Sequence, residues 1–371
     1  MLSNKVALAH DHLFQHGGAE NVLLEMNKVF PQAPIYTLVY DGEKAQQFYG
    51  KNIITSFING LWGAKKQFKW YLPLMPLAWE QFDFSSYKIV LSSSSAFCKG
   101  LLTPPNTMHI SYCHSPTRYL WSDAQSYVAD LNQPKIVKIF LPMLLNKLRQ
   151  WDFQAAQRVD YFIANSQFVA KRIKKYYRRD AKVIYPPVDV TKYTVNETVG
   201  DYYVIVSRLR PYKRVDIAID AFNQMGLPLV VVGGGEEYEK LKSKAKENIK
   251  FVGEVSDEEK NKILGQSKAF IFPQEEDFGI SPIEAMACGK PVIAYKSGGA
   301  LETVIENKTG MFFEEQNWES LVEAVIKFEN KKIDFSAQEI RRWAEKFSSE
   351  VFRNELKKYA EQCWQEFSGQ Q

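Results

Sequence analysis

The segment EEDFGISPIEA carries two carboxylates eight positions apart, Glu276 and Glu284, with Phe278 and Gly279 between them. Carboxylates accept pairs of hydroxyl protons, so one suits a sugar and the other a ribose, with a diphosphate between. Upstream, SRLRPYKRVD puts Arg208 and Lys213 where a strand hands over to a helix. There a guanidinium fork, an ammonium point charge and the helix dipole all favour a diphosphate; ordinary surface cations are the alternative. The loop VVGGGEE (Gly233, Gly234 and Gly235) follows a strand and opens a helix, so it either lets a ligand approach the backbone or is only a tight turn. It is not a full G-x-G-x-x-G fingerprint, and the lack of G-x-x-x-x-G-K-[ST] argues against a P-loop nucleotidase. Ser281 and Glu284 spell S-x-x-E, a capping box with Pro282 at the first helical position. Capping accounts for Glu284 but not for Glu276, nor for a glycine at Gly279.

All five histidines lie in the first half, and His10, His12 and His16 form H-x-H-x3-H in one loop. A metal site is one reading; the other is a polar loop at the carboxyl end of a strand, with Asp11 touching an acceptor. Between Phe57 and Trp79, aromatic residues alternate with Lys65, Lys66 and Lys69. That mixture suits an interfacial contact with a membrane, or else the packed wall of an acceptor site. The cluster KRIKKYYRR (Lys171 to Arg179) imitates a nucleic-acid patch but sits on an amphipathic pattern, as a solvated helix face does.

These groups need a scaffold, and the hydrophobic pattern supplies one. Strands are expected at Val6 to Ala9, Pro34 to Val39, Ile89 to Ser92, His109 to Cys113, Tyr161 to Ala164 and Lys182 to Tyr185. Pro186-Pro187 then stops regular structure, and VDVTKYTVNETVG is expected to be a polar linker. Afterwards strands at Tyr202 to Val206, Leu229 to Val232, Ile249 to Val252, Ala269 to Phe272 and Pro291 to Tyr295 alternate with helical segments. Alternation of this kind implies parallel sheets covered on both faces, hence two Rossmann-like domains with the cleft between them as the expected active site.

Composition is compatible with this. The 371 residues are 45% apolar and 24% charged, enough for two domains with real cores. Four cysteines stand far apart without a C-x-x-C pair, so neither a disulfide framework nor a thiolate zinc site is expected and a reducing cytoplasm fits best. No secretory signal pattern and no apolar run of membrane-spanning length is apparent. Residues 1–190 hold 22 Lys and Arg against 13 Asp and Glu, while the remainder hold 25 against 30. The basic half is expected to meet something anionic, a phospholipid surface or a pyrophosphate substrate rather than nucleic acid.

The E-x7-E spacing, the upstream Arg208 and Lys213, and GGxxE (Gly298 to Glu302) together resemble the retaining glycosyltransferases of family 4. GGAE (Gly17 to Glu20), LPLMPLAWEQFD, YCHSPTRYLW and WDFQAAQRVDYFIANS look more specifically like bacterial mannosyltransferases of the WbaZ type. The resemblance implies an α/β GT-B fold, two Rossmann-like doubly wound parallel-sheet domains facing a central cleft. It places an acceptor domain at 1–188 and a nucleotide-sugar donor domain at 189–351, with a C-terminal helix at about 352–371 crossing back. It further implies that Arg208 and Lys213 hold the donor diphosphate, that Glu276 touches the donor sugar hydroxyls and Glu284 the ribose. Gly17 and Gly18 would approach the donor from the first domain, with Gly233, Gly234, Phe278, Gly279 and Ile280 also on the donor side. His114 would lie beside the reacting sugar; His10, Asp11, His12 and Arg118 are acceptor-side candidates. Glu275 precedes Glu276, and Phe278-Gly279 with the spacing to Glu284 selects Glu276.

The implied reaction moves a hexose, mannose from GDP-mannose, with retention, to a glycan or lipid-linked acceptor in cell-surface polysaccharide assembly. Neither a metal nor a cofactor is expected, the nucleotide sugar being a substrate, and the expected location is the cytoplasm, at the inner face of the membrane. A UDP-sugar donor, a sugar-nucleotide epimerase and a non-catalytic membrane-associated scaffold are the alternatives.

Overall fold

A computed structural model describes residues 5–15, 17–125, 135–196, 200–330 and 335–369. The chain divides into two compact units, Met1–Tyr185 together with Phe352–Gln371, and Pro186–Val351.

In the first unit β1 (Val6–His10), β2 (Ile35–Thr37), β3 (Ile53–Thr55), β4 (Ile89–Ser94), β5 (Met108–Cys113), β6 (Tyr161–Ala164) and β7 (Ala181–Val183) form a parallel sheet ordered β3-β2-β1-β4-β5-β6-β7. The central strands β1, β4 and β5 are buried along their whole length, as strands covered on both faces must be. The helices that matter for the site are α1 (Gly18–Val29), α2 (Met75–Glu80), α3 (Lys135–Gln157) and α4 (Gln167–Tyr177). The core beside α1 also takes in Phe352, Leu356, Ala360 and Cys363 from the last helix of the chain.

The second unit holds β8 (Tyr203–Val206), β9 (Leu229–Val232), β10 (Ile249–Gly253), β11 (Phe270–Phe272), β12 (Val292–Tyr295) and β13 (Gly310–Phe313), parallel and ordered β10-β9-β8-β11-β12-β13. Its helices include α5 (Val215–Met225), α6 (Tyr238–Lys244), α7 (Asp257–Gln266) and α8 (Ile280–Ala287). In each sheet the strand order reverses beside the first strand, between β1 and β4 and between β8 and β11. Such switch points open a crevice at the carboxyl ends of the strands, where ligands of doubly wound sheets bind.

Two local expectations are corrected. Ser281 does not cap a helix: α8 starts at Ile280 with Gly279 as its cap, at φ 93° and without a side-chain bond. Capping by serine occurs elsewhere, where Ser256 and Ser336 accept the amides of Glu259 and Glu339 at 3.2 and 3.3 Å. The linker is not a polar excursion either. Val188, Val190 and Tyr193 are buried. Val188 donates to the Phe347 carbonyl at 2.9 Å and accepts from the Ser349 amide at 3.1 Å, which ties the segment down.

Candidate functional site

In the second unit the loops leaving β8 and β11, on either side of the switch point, bring Lys213 and Glu276 into direct hydrogen-bonded contact. Both side chains are less than one-fifth exposed, so the pair is poised between protein and solvent. Lys213 also sits 5.0 Å from the Tyr212 ring centre, on its π face. Arg208 lies exposed on the same loop.

Glycines shape this loop cluster. A side chain at Gly233 (φ 124°) would put its Cβ 1.9 Å from the Ser207 carbonyl, and one at Gly299 would lie 2.4 Å from Phe278 Cα. Gly234 accepts the Leu209 amide at 2.8 Å, and the Gly299 amide donates to the Glu276 carbonyl at 2.8 Å. The Gly233–Gly235 turn is thus required by the backbone of the Arg208 loop, and the GGxxE glycines by the backbone that presents Glu276. Phe278 is buried against Phe347, 5.6 Å between ring centres, while Gly279 has φ 93° and abuts the Phe272 ring. Ile280 opens α8.

Glu284, one turn into α8, pairs with a different cation from Glu276. Lys260 of α7 reaches it at 3.1 Å, and the Tyr193 hydroxyl bonds it as well. Burial first, and then the Glu284 carboxylate, push the Tyr193 phenol far above its usual range.

In the first unit the carboxyl ends of β1, β4 and β5 carry the polar groups. His10 stands opposite Ser93 in the β1–β4 register, and His114 follows directly after β5. The Ser93 hydroxyl bridges the two rings, 3.1 Å from His10 Nδ1 and 2.8 Å from His114 Nε2. Glu20 in the first turn of α1 lies behind, its Oε1 accepting the Gln15 amide at 3.0 Å and standing 3.8 Å from His10 Nε2. Burial alone would raise the Glu20 carboxyl, but His10 and Gln15 override it and hold it at about 2. Burial lowers His114 and His12 to about 4 each, so both rings are neutral at physiological pH.

Asp11 is not placed to touch an acceptor. Its carboxylate is 3% exposed and takes four backbone amides, those of Ser95, Ala96, Phe97 and Cys98, at 2.7–2.8 Å. Burial would raise this carboxyl, but the neighbouring His10 and His12 rings and these amide bonds keep it low. Its task is to fold the β4 exit loop. His10 is likewise buried at 2%, behind Ser93 rather than at a surface. His12 stacks on Phe14 at 4.2 Å, and Arg118 pairs with Asp123 at 2.8 Å. Gly17 is the extended N-cap of α1 and Gly18 its first residue, so backbone amides rather than a side chain form this helix start. His16 lies outside the described residues. Among the described residues no group of three or more His, Cys, Asp or Glu is arranged to hold a metal ion.

A second buried cluster was not apparent from spacing. Lys99 and Asp152, 1% and 0% exposed, pair at 2.6 Å. The same carboxylate accepts Thr117 Oγ1, Trp121 Nε1 and the Tyr177 hydroxyl at 2.8 Å each. It thereby ties YCHSPTRYLW to WDFQAAQRVDYFIANS and fixes the loop that begins at His114. Glu20 and Ser93 were also missed; the signal for Ser93 is the serine run ending the apolar strand β4, where Ser92, Ser93 and Ser94 are buried.

The segment from Phe57 to Trp79 divides in two. Trp79, Met75 and Ala78 belong to the core, whereas Trp62, Trp70 and Leu77 are 82%, 65% and 48% exposed, with Lys65, Lys66 and Lys69 exposed beside them. No helix among the described residues is long and apolar enough to cross a membrane.

Two doubly wound parallel sheets, each with polar groups gathered at its switch point, define the GT-B class of fold. Residues 16–192 match the model of Glycosyltransferase Family 4 and residues 195–347 that of Glycosyl transferases group 1, so each half of the chain matches a glycosyltransferase domain. It is 28% identical over 240 residues to the human alpha-1,3/1,6-mannosyltransferase ALG2, covering 54% of this chain and 58% of that one. It is 27% identical over 227 residues to the O-antigen chain mannosyltransferase C of Escherichia coli, covering 56% and 59%. The matches span a little over half the length of these curated relatives. Among solved structures, Anabaena HepE in complex with UDP superposes with a TM-score of 0.72 over 96% of this chain and 100% of that one, at 19% identity, which is a likeness of fold.

Proposed function

We propose that the protein transfers mannose from GDP-mannose, with retention, to a glycan or lipid-linked acceptor of cell-surface polysaccharide assembly. The observation that carries this reading is the Lys213–Glu276 pair at the switch point of the second sheet. A cation there offsets charge growing on a leaving diphosphate, and an adjacent carboxylate accepts hydroxyls of the sugar, so one contact addresses both sides of the breaking bond. Arg208 joins Lys213 on the diphosphate, Glu284 takes the ribose, and His114 is assigned to the reacting sugar. The mannosyltransferases among the relatives support the sugar. In the proposed front-face attack the leaving phosphate itself takes the acceptor proton, so neither Glu276 nor His114 acts as a nucleophile. The nucleotide sugar is a substrate, and the reaction uses neither a metal nor a cofactor.

The acceptor is proposed to be met at the inner face of the cytoplasmic membrane, on the surface formed by Trp62, Trp70 and Leu77 with Lys65, Lys66 and Lys69. Exposed indoles seat at the headgroup level while lysines meet anionic lipid. Thermal-shift titration with GDP, UDP, ADP and their sugars tests the donor, since a ligand of the folded state raises its stability. A GDP-selective shift, larger with GDP-mannose, is expected. A UDP-selective shift would replace the donor, a reading favoured by the UDP bound to HepE. No shift with any nucleotide would leave the scaffold reading.

A further inference from the structure

We propose that Glu20, His10 and Ser93 are positioning residues for His114: one chain of contacts fixes the ring's tautomer and leaves Nδ1 as an acceptor for a hydroxyl of the reacting sugar. The tautomer stands on geometry alone; only the identity of the hydroxyl rests on the transferase reading above.

The chain is read from its charged end. An ionised carboxylate only accepts, so the ring nitrogen of His10 turned toward Glu20 must carry the proton, since a lone pair there would be repelled. At 3.8 Å the contact is longer than the 2.7–2.9 Å of a charge-assisted bond, and the chain as proposed takes His10 as the singly protonated ring. A neutral ring protonated at Nε2 has its lone pair on Nδ1, and Nδ1 lies 3.1 Å from the Ser93 hydroxyl. Ser93 has one proton to give and gives it to His10. Its oxygen then accepts from His114 Nε2 at 2.8 Å, which therefore bears the hydrogen. The lone pair of His114 is left on Nδ1, which has no hydrogen-bond partner among the described residues.

Three features make this arrangement rigid. His10 and Ser93 are 2% and 0% exposed, and Glu20 is 1% exposed. The β1–β4 register sets His10 beside Ser93, and the His114 amide is pinned to the Ser94 carbonyl at 2.9 Å. Gln15 donates to the same Glu20 oxygen that faces His10, which holds the carboxylate in its rotamer.

The test is nitrogen-15 spectroscopy of ring-labelled histidines in the full chain at neutral pH, with the His114 signals assigned by their loss in His114→Gln. The native protein is expected to show His114 protonated at Nε2 and bare at Nδ1. Ser93→Ala should turn it into a mixture of tautomers. Glu20→Ala should do the same from two residues away, while Glu20→Gln keeps an acceptor oxygen for Gln15 and His10 and should preserve the native tautomer. In the transfer assay Ser93→Ala should lower kcat about tenfold, the worth of one hydrogen bond, with KM for the nucleotide sugar within about twofold. A native His114 protonated at Nδ1, or a tautomer unmoved in both Ser93→Ala and Glu20→Ala, overturns the proposal. Equal losses in kcat and in donor binding would reduce the chain to a structural role and overturn it too. If Ser93→Ala does not fold, the Glu20→Ala and Glu20→Gln pair decides. Absence of transfer with every nucleotide sugar would refute the transferase reading while the spectra still judge the chain.

Discussion

Replacing Asp152 by alanine strikes the point where four segments of the first unit meet. The substitution leaves the Lys99 ammonium, 1% exposed, without its counter-ion and leaves Thr117, Trp121 and Tyr177 without the oxygens they donate to. Breaking a buried pair from one side costs about 3–5 kcal/mol, and each stranded donor adds to that, so about 4 kcal/mol is a conservative expectation. For a unit of this size that corresponds to a fall in melting temperature of about 8–16 °C. Lys99→Met is expected to cost less, about 2–3 kcal/mol, because the carboxylate keeps three donors. The double variant Lys99→Met/Asp152→Leu should recover part of the loss, as no buried charge remains unpaired. Differential scanning calorimetry of the four proteins measures all three quantities, with the transition of the first unit as the readout. A fall of less than about 4 °C for Asp152→Ala, or a larger loss for Lys99→Met than for Asp152→Ala, would refute the assignment of Asp152 as the hub.

Lys213→Ala should depress kcat far more than it weakens nucleotide-sugar binding, measured by steady-state kinetics beside calorimetric titration; equal losses would mean uniform binding. Gly233→Ala forces a Cβ to 1.9 Å from a carbonyl oxygen at φ 124° and should cost the second unit at least about 2 kcal/mol, read from its melting transition. Acid should destabilise the first unit early. His12 and His114 fall from 6.5 to about 4 and His109 to about 3, chiefly through burial, so unfolding takes up protons as the pH drops below 6.5, before the carboxylates respond. Each ring contributes up to about 1.4 kcal/mol per pH unit, and His109→Asn should remove one such proton from the slope of urea-melt stability against pH. Trp62→Ala/Trp70→Ala should abolish co-sedimentation with anionic liposomes at low salt while leaving the melting temperature unchanged; retention on the liposomes would dismiss this surface as the contact.

What the sequence disclosed follows from how local each signal is. Val6–His10, Leu229–Val232 and Tyr161–Ala164 are largely apolar, mostly buried runs in a parallel sheet, and their positions could be read from hydrophobicity. β3, three half-buried residues, carries too little pattern, and β13 is announced only by a short run after Gly310. The second-unit constellation was legible because Lys213 and Glu276 are charged residues in loops with few structural reasons to be there. Asp11 misled because a carboxylate beside two histidines looks like chemistry, whereas its four amide partners lie 84 to 87 residues away and leave no mark in the sequence near it. The S-x-x-E at Ser281 failed for a different reason: Gly279 at positive φ turns the chain into the helix before the serine is reached. Lys99 with Asp152, and Glu20 with His10, are partners across the fold, and only the strand order brings them together.

The last helix, α9 (Ser349–Ser368), lends Phe352, Leu356, Ala360 and Cys363 to the core beside α1. During synthesis the second unit, a continuous stretch from Pro186 to Val351, leaves the ribosome whole and is free to fold at once. The first unit, although begun earlier, cannot close its core until these last residues emerge, so the half made first is the half finished last. Its core must wait through translation of the entire second unit, an interval in which a chaperone has most to protect.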